Sequence, residues 1–125
     1  MSLEKPFDTF RVEKKAGEYK DFGTANSDYP LKGVTYPVDY GDIEGYTGED
    51  GANLDLFVGD GSIDGYFIVY RPELENGEHK FYLNLTEEEE ASVLAEFAPV
   101  ITEQNRFESY ADLLSAIEAF KTLAP

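Results

Sequence analysis

Val34-Thr35-Tyr36-Pro37-Val38-Asp39-Tyr40-Gly41-Asp42-Ile43-Glu44-Gly45-Tyr46-Thr47-Gly48-Glu49-Asp50-Gly51-Ala52-Asn53-Leu54-Asp55-Leu56-Phe57-Val58 threads carboxylates through short apolar segments and punctuates them with glycine. Val34 to Tyr40 and Leu54 to Val58 have the length and the β-branched and aromatic content of strands, while the glycines between them mark turns. Tyr66 to Tyr70 and Lys80 to Leu85 repeat the pattern further along. Short strands at this spacing predict a small barrel. The Asn76-Gly77 pair, tolerant of positive φ, predicts a hairpin turn between Val69-Tyr70 and Phe81-Tyr82, with Glu73 and Glu78 flanking it.

Working outward, Phe10 and Val12, then Tyr19 and Phe22, predict one or two strands around a turn at Gly17, and residues 23 to 33 read as a loop. After the last strand the chemistry changes. Thr86 with Glu89 three residues on is a capping box, and Glu87 and Glu88 sit at the positive end of the helix dipole, so a helix is expected from there to about Phe97, before Pro99. Four consecutive glutamates at that place read as a solvated helix start. A second helix is expected near Ser109, with Asp112 three residues later, burying Tyr110, Leu113, Leu114, Ile117 and Phe120. The expected fold class is α+β, mainly β: a small OB-like barrel with two C-terminal helices. With 125 residues, nine Phe and nine Tyr, the chain suits one domain over 1–125 with a real core.

The formal net charge of −16 argues against direct contact with nucleic-acid phosphates or anionic membranes, since no basic stripe exists to meet them. Between Asp39 and Glu78 eleven acidic side chains face a single basic one, Arg71. Folded together, such carboxylates repel unless cations lie among them. With no cysteine and His79 as the single histidine, a zinc site is disfavoured and oxygen-ligated Mg²⁺, Mn²⁺ or Ca²⁺ is the expected kind of ion. No apolar run approaches the roughly 20 residues that span a bilayer and no signal-peptide core is seen, so a cytoplasmic protein is expected. Met1-Ser2-Leu3 is read as a remnant without function.

Two blocks, Tyr36-Pro37-Val38-Asp39-Tyr40-Gly41 and Asp50-Gly51-Ala52-Asn53-Leu54-Asp55 followed by the apolar Leu56-Phe57-Val58, resemble the YPxxYG and DGDPxD motifs of the soluble, magnesium-dependent inorganic pyrophosphatases of family I. Glu73, Glu78 and Lys80 match a third block of two acids and a lysine, with Glu where that family typically has Asp. Glu13 and Lys20 stand where an acid and a phosphate-binding lysine occur in its N-terminal strands. The resemblance covers residues 34 to 85 well and the termini loosely.

What it implies is an OB-like barrel that hydrolyses inorganic pyrophosphate to two orthophosphates with the help of several Mg²⁺ ions, Mn²⁺ being an alternative. On that pattern Asp50, Asp55, Glu73, Glu78 and Glu13 are metal ligands, and Lys80, Lys20, Tyr36 and Tyr40 bind substrate. Asp50, Asp55, Lys80 and Tyr40 form the reacting centre. The implied partner is pyrophosphate or another small phosphate compound, and a homo-oligomer is admitted.

Departures from the pattern carry equal information. Ala52 replaces the aspartate often assigned to deprotonating the attacking water, and Asn53 replaces the following proline. No arginine precedes Tyr36 where the family places a phosphate-binding one, and the Tyr-Lys pair of its C-terminal helix is missing. Each loss costs on the order of 10² to 10⁴ in rate. Two alternatives therefore stand beside a weak hydrolase: a metal- and anion-binding or regulatory module of the same fold, and an acidic domain that mimics nucleic acid toward a basic partner.

Overall fold

Strand pairing brings the acidic blocks side by side, and it does so by an alternation legible residue by residue. The protein is described from a computed structural model covering residues 7–23 and 28–122. Positions 24–27 of the expected loop, and the Met1-Ser2-Leu3 start, lie outside the described residues. Within them run β1 (Phe10–Lys14), β2 (Tyr19–Asp21), β3 (Gly33–Thr35), β4 (Asp39–Thr47), β5 (Asn53–Val58), β6 (Ile63–Arg71) and β7 (Leu74–Leu85), then α1 (Glu87–Phe97), β8 (Ile101–Arg106) and α2 (Tyr110–Glu118). Six strands form one sheet in the order β1-β4-β5-β7-β6-β8, and β2 pairs with β3 as a separate ribbon. All pairs are antiparallel except β5 with β7, which run parallel with Asp55 opposite Lys80 and Phe57 opposite Tyr82.

Because successive strand residues point to opposite faces, the sheet carries a core on each side. One gathers Tyr40, Phe57, Phe67, Val69, Tyr82 and Leu85 with Val93 and Phe97 of α1. The other gathers Ile43, Leu54, Leu56, Phe81 and Leu83 with Leu113 and Ile117 of α2. Asn84 at φ 57° interrupts the alternation in β7, which lets Tyr82 and Leu85 share a face although they are three residues apart. The fold is α+β and mainly β. Its two outermost strands, β1 and β8, are not hydrogen-bonded to each other among the described residues, so the helices cover the faces of a six-stranded sheet.

Both helices begin as their sequences require. Thr86 accepts from Glu89 N at 3.1 Å while the Glu89 carboxylate accepts from Thr86 N at 2.8 Å, and Ser109 Oγ accepts from Asp112 N at 3.1 Å. Caps of this kind contribute about 1 kcal/mol each.

Three expectations change. The strand expected over 34 to 40 is broken: Val34 and Thr35 belong to β3, and β4 starts at Asp39 and runs through Asp42 and Glu44 to Thr47. Arg71 pairs with Leu74, so the β6–β7 turn is made by Pro72 and Glu73, while Asn76 and Gly77, the latter at φ 74°, form an irregularity inside β7. Proline fixes the φ that the first turn position needs, which makes Pro72 the stronger turn former here. Glu73 therefore sits in the turn and Glu78 inside the strand. Tyr110 is 38% exposed and lies at the margin of the core rather than in it, its ring 6.0 Å from that of Phe7.

Candidate functional site

The face of the sheet that carries Tyr40, Phe57, Phe67 and Tyr82 changes from apolar to charged toward one end. On that face β4 sets Asp42 after Tyr40, β5 sets Asp55 before Phe57, β6 sets Arg71 after Val69, and β7 sets Glu78 and Lys80 before Tyr82. These positions differ by two in every strand, so each charged side chain projects beside the core residue of its own strand. The result is a cleft of about 620 Å³. All nine residues singled out in the sequence line it: Glu13, Lys20, Tyr36, Tyr40 and Asp50, together with Asp55, Glu73, Glu78 and Lys80.

Lys80 is its centre. Its Nζ donates to Asp55 Oδ2 at 2.8 Å and to Tyr40 Oη at 3.3 Å, lies 3.7 Å from Glu78 Oε1, and sits 5.3 Å and 5.5 Å from the ring centroids of Tyr40 and Phe97. Burial works against the ammonium, but Asp55, Tyr40 and Glu78 outweigh it and hold the lysine charged well above its ordinary range. Arg71 bridges two more acids, with Nε 2.7 Å from Glu73 and Nη1 3.0 Å from Glu78. Burial pushes the Glu78 carboxyl upward; Lys80 and Arg71 pull it back, Asp55 and Asp50 add to the rise, and the net direction is up. Tyr36 stacks on Tyr40 with centroids 4.6 Å apart. Burial, the leading cause for both, pushes the Tyr36 phenol up to about 12 and Tyr40 higher still, so both remain protonated donors. Lys20 lies 3.9 Å from Glu13 at the exposed margin, a pairing of little energetic weight.

Asp50 arrives on a tight turn. Gly51 takes φ 83°, Gly48 N donates to Ala52 O at 2.8 Å, and Asp50 Oδ1 accepts from Ala52 N at 2.9 Å. The neighbouring Glu49 reaches across to β7, accepting from His79 N at 3.1 Å and pairing with His79 Nδ1 at 2.5 Å. That pair ties the Asp50 turn to the strand that bears Glu78 and Lys80. His79 itself packs against the rings of Tyr66, Phe81 and Phe120. Its place two residues before Phe81 gave the signal, since alternation puts the two on one face.

Sequence reasoning gave no site role to Arg71, Asp21, Asp42, Phe22 or Tyr29, all of which line the cleft. Arg71 was legible as the lone base of an acidic segment, yet its direction depended on the position of the Pro72-Glu73 turn.

Seven carboxylates of the cleft face three cations, Lys20, Arg71 and Lys80. The surplus of oxygen donors, with neither thiol nor imidazole among the lining groups, suits a hard divalent cation such as Mg²⁺ or Mn²⁺. As folded, the site gives its charge to protein cations instead: Asp55 and Glu78 are turned onto Lys80 and Arg71. Among the described residues no three acids converge on one point.

No helix of the described residues is long and apolar enough to cross a membrane. No curated protein and no solved structure matches the chain. The family model described as Inorganic Pyrophosphatase matches residues 9–107, which takes in β1 through β8 and every residue named in the cleft. The chain belongs to the inorganic pyrophosphatase family.

Proposed function

We propose that the cleft takes up a phosphoanhydride, inorganic pyrophosphate or a relative of it, together with Mg²⁺ or Mn²⁺, and hydrolyses it slowly. One observation carries this reading: nine residues drawn from separate blocks of sequence line a single cleft. Asp50, Asp55 and Glu78, with Glu73 and Glu13 at the margins, are assigned to hold the cation. Once bound, it supplies the positive charge that an acidic cleft otherwise lacks for a polyanion and polarises a phosphoryl oxygen. Lys80 and Lys20 are assigned to phosphate oxygens, and Tyr36 and Tyr40, kept protonated, donate hydrogen bonds to them. Residues 1–125 act as one domain in this reading, and the setting is the cytoplasm.

Hydrolysis forms a bond from a water oxygen to one phosphorus and breaks the bond to the bridging oxygen, whose electron pair leaves with the second phosphate. The water must also lose a proton. Ala52 has no group to accept it, so the proton passes to solvent. Rates on the order of 10² to 10⁴ below a fully equipped site follow.

Phosphate release from pyrophosphate, with and without Mg²⁺, tests the proposal against an Asp50→Asn control. Release that depends on Mg²⁺ and falls in the control is expected; release no greater than the control's defeats the hydrolase. A second reading, a binding module without turnover, is favoured by Ala52 and by the Asp55–Lys80 pair. Pyrophosphate or Mg²⁺ binding by calorimetry without release would select it.

A further inference from the structure

Among its charged groups the cleft also presents Phe22, Tyr29, Leu31, Val69 and Phe97, the last with its ring centroid 5.5 Å from Lys80 Nζ. Leu31, Val69 and Phe97 are core residues, whereas Phe22 and Tyr29 pack against the core and stay partly open. Tyr29 is fixed in place, its Oη donating to Tyr70 O at 2.7 Å and its ring stacking on that of Tyr70 with centroids 6.2 Å apart and planes 26° from parallel. A ring held in this way meets a flat ligand group without first being ordered.

Inorganic pyrophosphate offers oxygen atoms on every side and gains nothing from such rings. A cleft of about 620 Å³ also falls among those that enclose a drug-sized organic molecule, typically about 300–1,000 Å³ with apolar lining and a few convergent polar groups. Resting on the phosphoanhydride reading above, we infer that the substrate class is organic: a diphosphate that carries a flat ring system, such as a nucleoside 5′-diphosphate. The diphosphate lies toward Lys80, Arg71 and Lys20, and the ring system lies against Phe22 and Tyr29. In the reaction a water oxygen bonds to the terminal phosphorus as the bond from that phosphorus to the bridging oxygen breaks. The electron pair leaves on the nucleoside monophosphate, and one water proton passes to solvent as orthophosphate forms. Arg71, 35% exposed at its side chain, supplies from β6 a guanidinium on the phosphate side.

The test compares adenosine diphosphate with inorganic pyrophosphate on the full chain in Mg²⁺, by calorimetric Kd and by phosphate release. Preference for adenosine diphosphate by at least about tenfold is expected, the size of one base–aromatic stack. Phe22→Leu and Tyr29→Leu, which keep apolar volume for the core, are expected to cut the ratio of adenosine diphosphate to pyrophosphate affinity about tenfold, with circular dichroism and melting confirming the fold. Equal or better handling of pyrophosphate overturns the inference and leaves the phosphoanhydride site standing, as does an unchanged ratio in both variants. Failure of either compound to bind overturns the site and the inference together.

Discussion

A methyl group at position 52 stands in the cleft where the family pattern has a carboxylate. Ala52→Asp is expected to raise Mg²⁺-dependent phosphate release on the order of 10²-fold, measured by phosphate colorimetry; unchanged activity would refute the alignment of the two blocks. Lys80 makes the opposite kind of case. Its ammonium is buried and balances Asp55 and Glu78, so Lys80→Met leaves two carboxylates without their shared cation. A loss of about 3–5 kcal/mol is expected in urea unfolding, with larger Mg²⁺ stabilisation than in the parent if a divalent ion takes the vacated charge. The nine cleft residues were legible in sequence because each is chemically marked, by an acid, a lysine or a motif tyrosine. Arg71, though marked as a lone base, had no direction assigned to it, and Phe22 and Tyr29 escaped because nothing in their identity separates a core ring from a cleft lining. Only direction does, and direction comes from pairing.

At the scale of elements, α1, β7 and β8 are joined by one polar cluster. Glu90 on α1 receives both Nε and Nη2 of Arg106 from β8, at 3.1 and 2.5 Å to Oε1, and accepts from Tyr82 Oη of β7 at 2.6 Å. The Arg106 hydrogen bonds hold the Glu90 carboxyl below its ordinary 4.5 although burial opposes them. A folded-state pKa depressed below the unfolded one gives stability that is present above the unfolded value and is lost as pH falls through the folded one. Glu90→Gln is therefore expected to lower Tm by a few degrees at pH 7, the difference from the parent shrinking below about pH 4.5, as followed by melting curves across pH. Elements with a strong local signature were legible: both helix caps, the turn at Gly17 with φ 93°, and the strand at Leu54. The sequence of β8, Ile-Thr-Glu-Gln-Asn-Arg, gives no alternation of apolar and polar, and five of its six residues are exposed, so no periodicity marks it. In β4 the glycines at 41 and 45 read as turns, yet Gly41 pairs inside the ladder with Val12 and Leu56.

For the molecule as a whole, a net charge of −16 on 125 residues favours expansion by self-repulsion. Sodium chloride screens that repulsion at any site, whereas Mg²⁺ acts additionally where carboxylates outnumber cations. Tm is expected to rise with both and to rise further in millimolar Mg²⁺ than in sodium chloride of equal ionic strength. Equal shifts would remove the specific divalent site. The fold class was legible from strand count and helix caps, but the two-sided core was not. Short strands of this spacing leave open what covers the second face of the sheet, and Leu113 and Ile117 of α2 pack there, opposite α1.

The parallel pairing of β5 with β7 has a mechanical consequence. Asp55 and Lys80 are bonded neighbours on a continuous lattice of backbone hydrogen bonds that also spans β4 and β6. The floor beneath the charged groups therefore flexes as a single plate, with no hinge between acid and base. A lineage altering what this protein accepts would do so by lengthening, shortening or exchanging side chains on fixed pegs, and the glutamate at 78 fits that route.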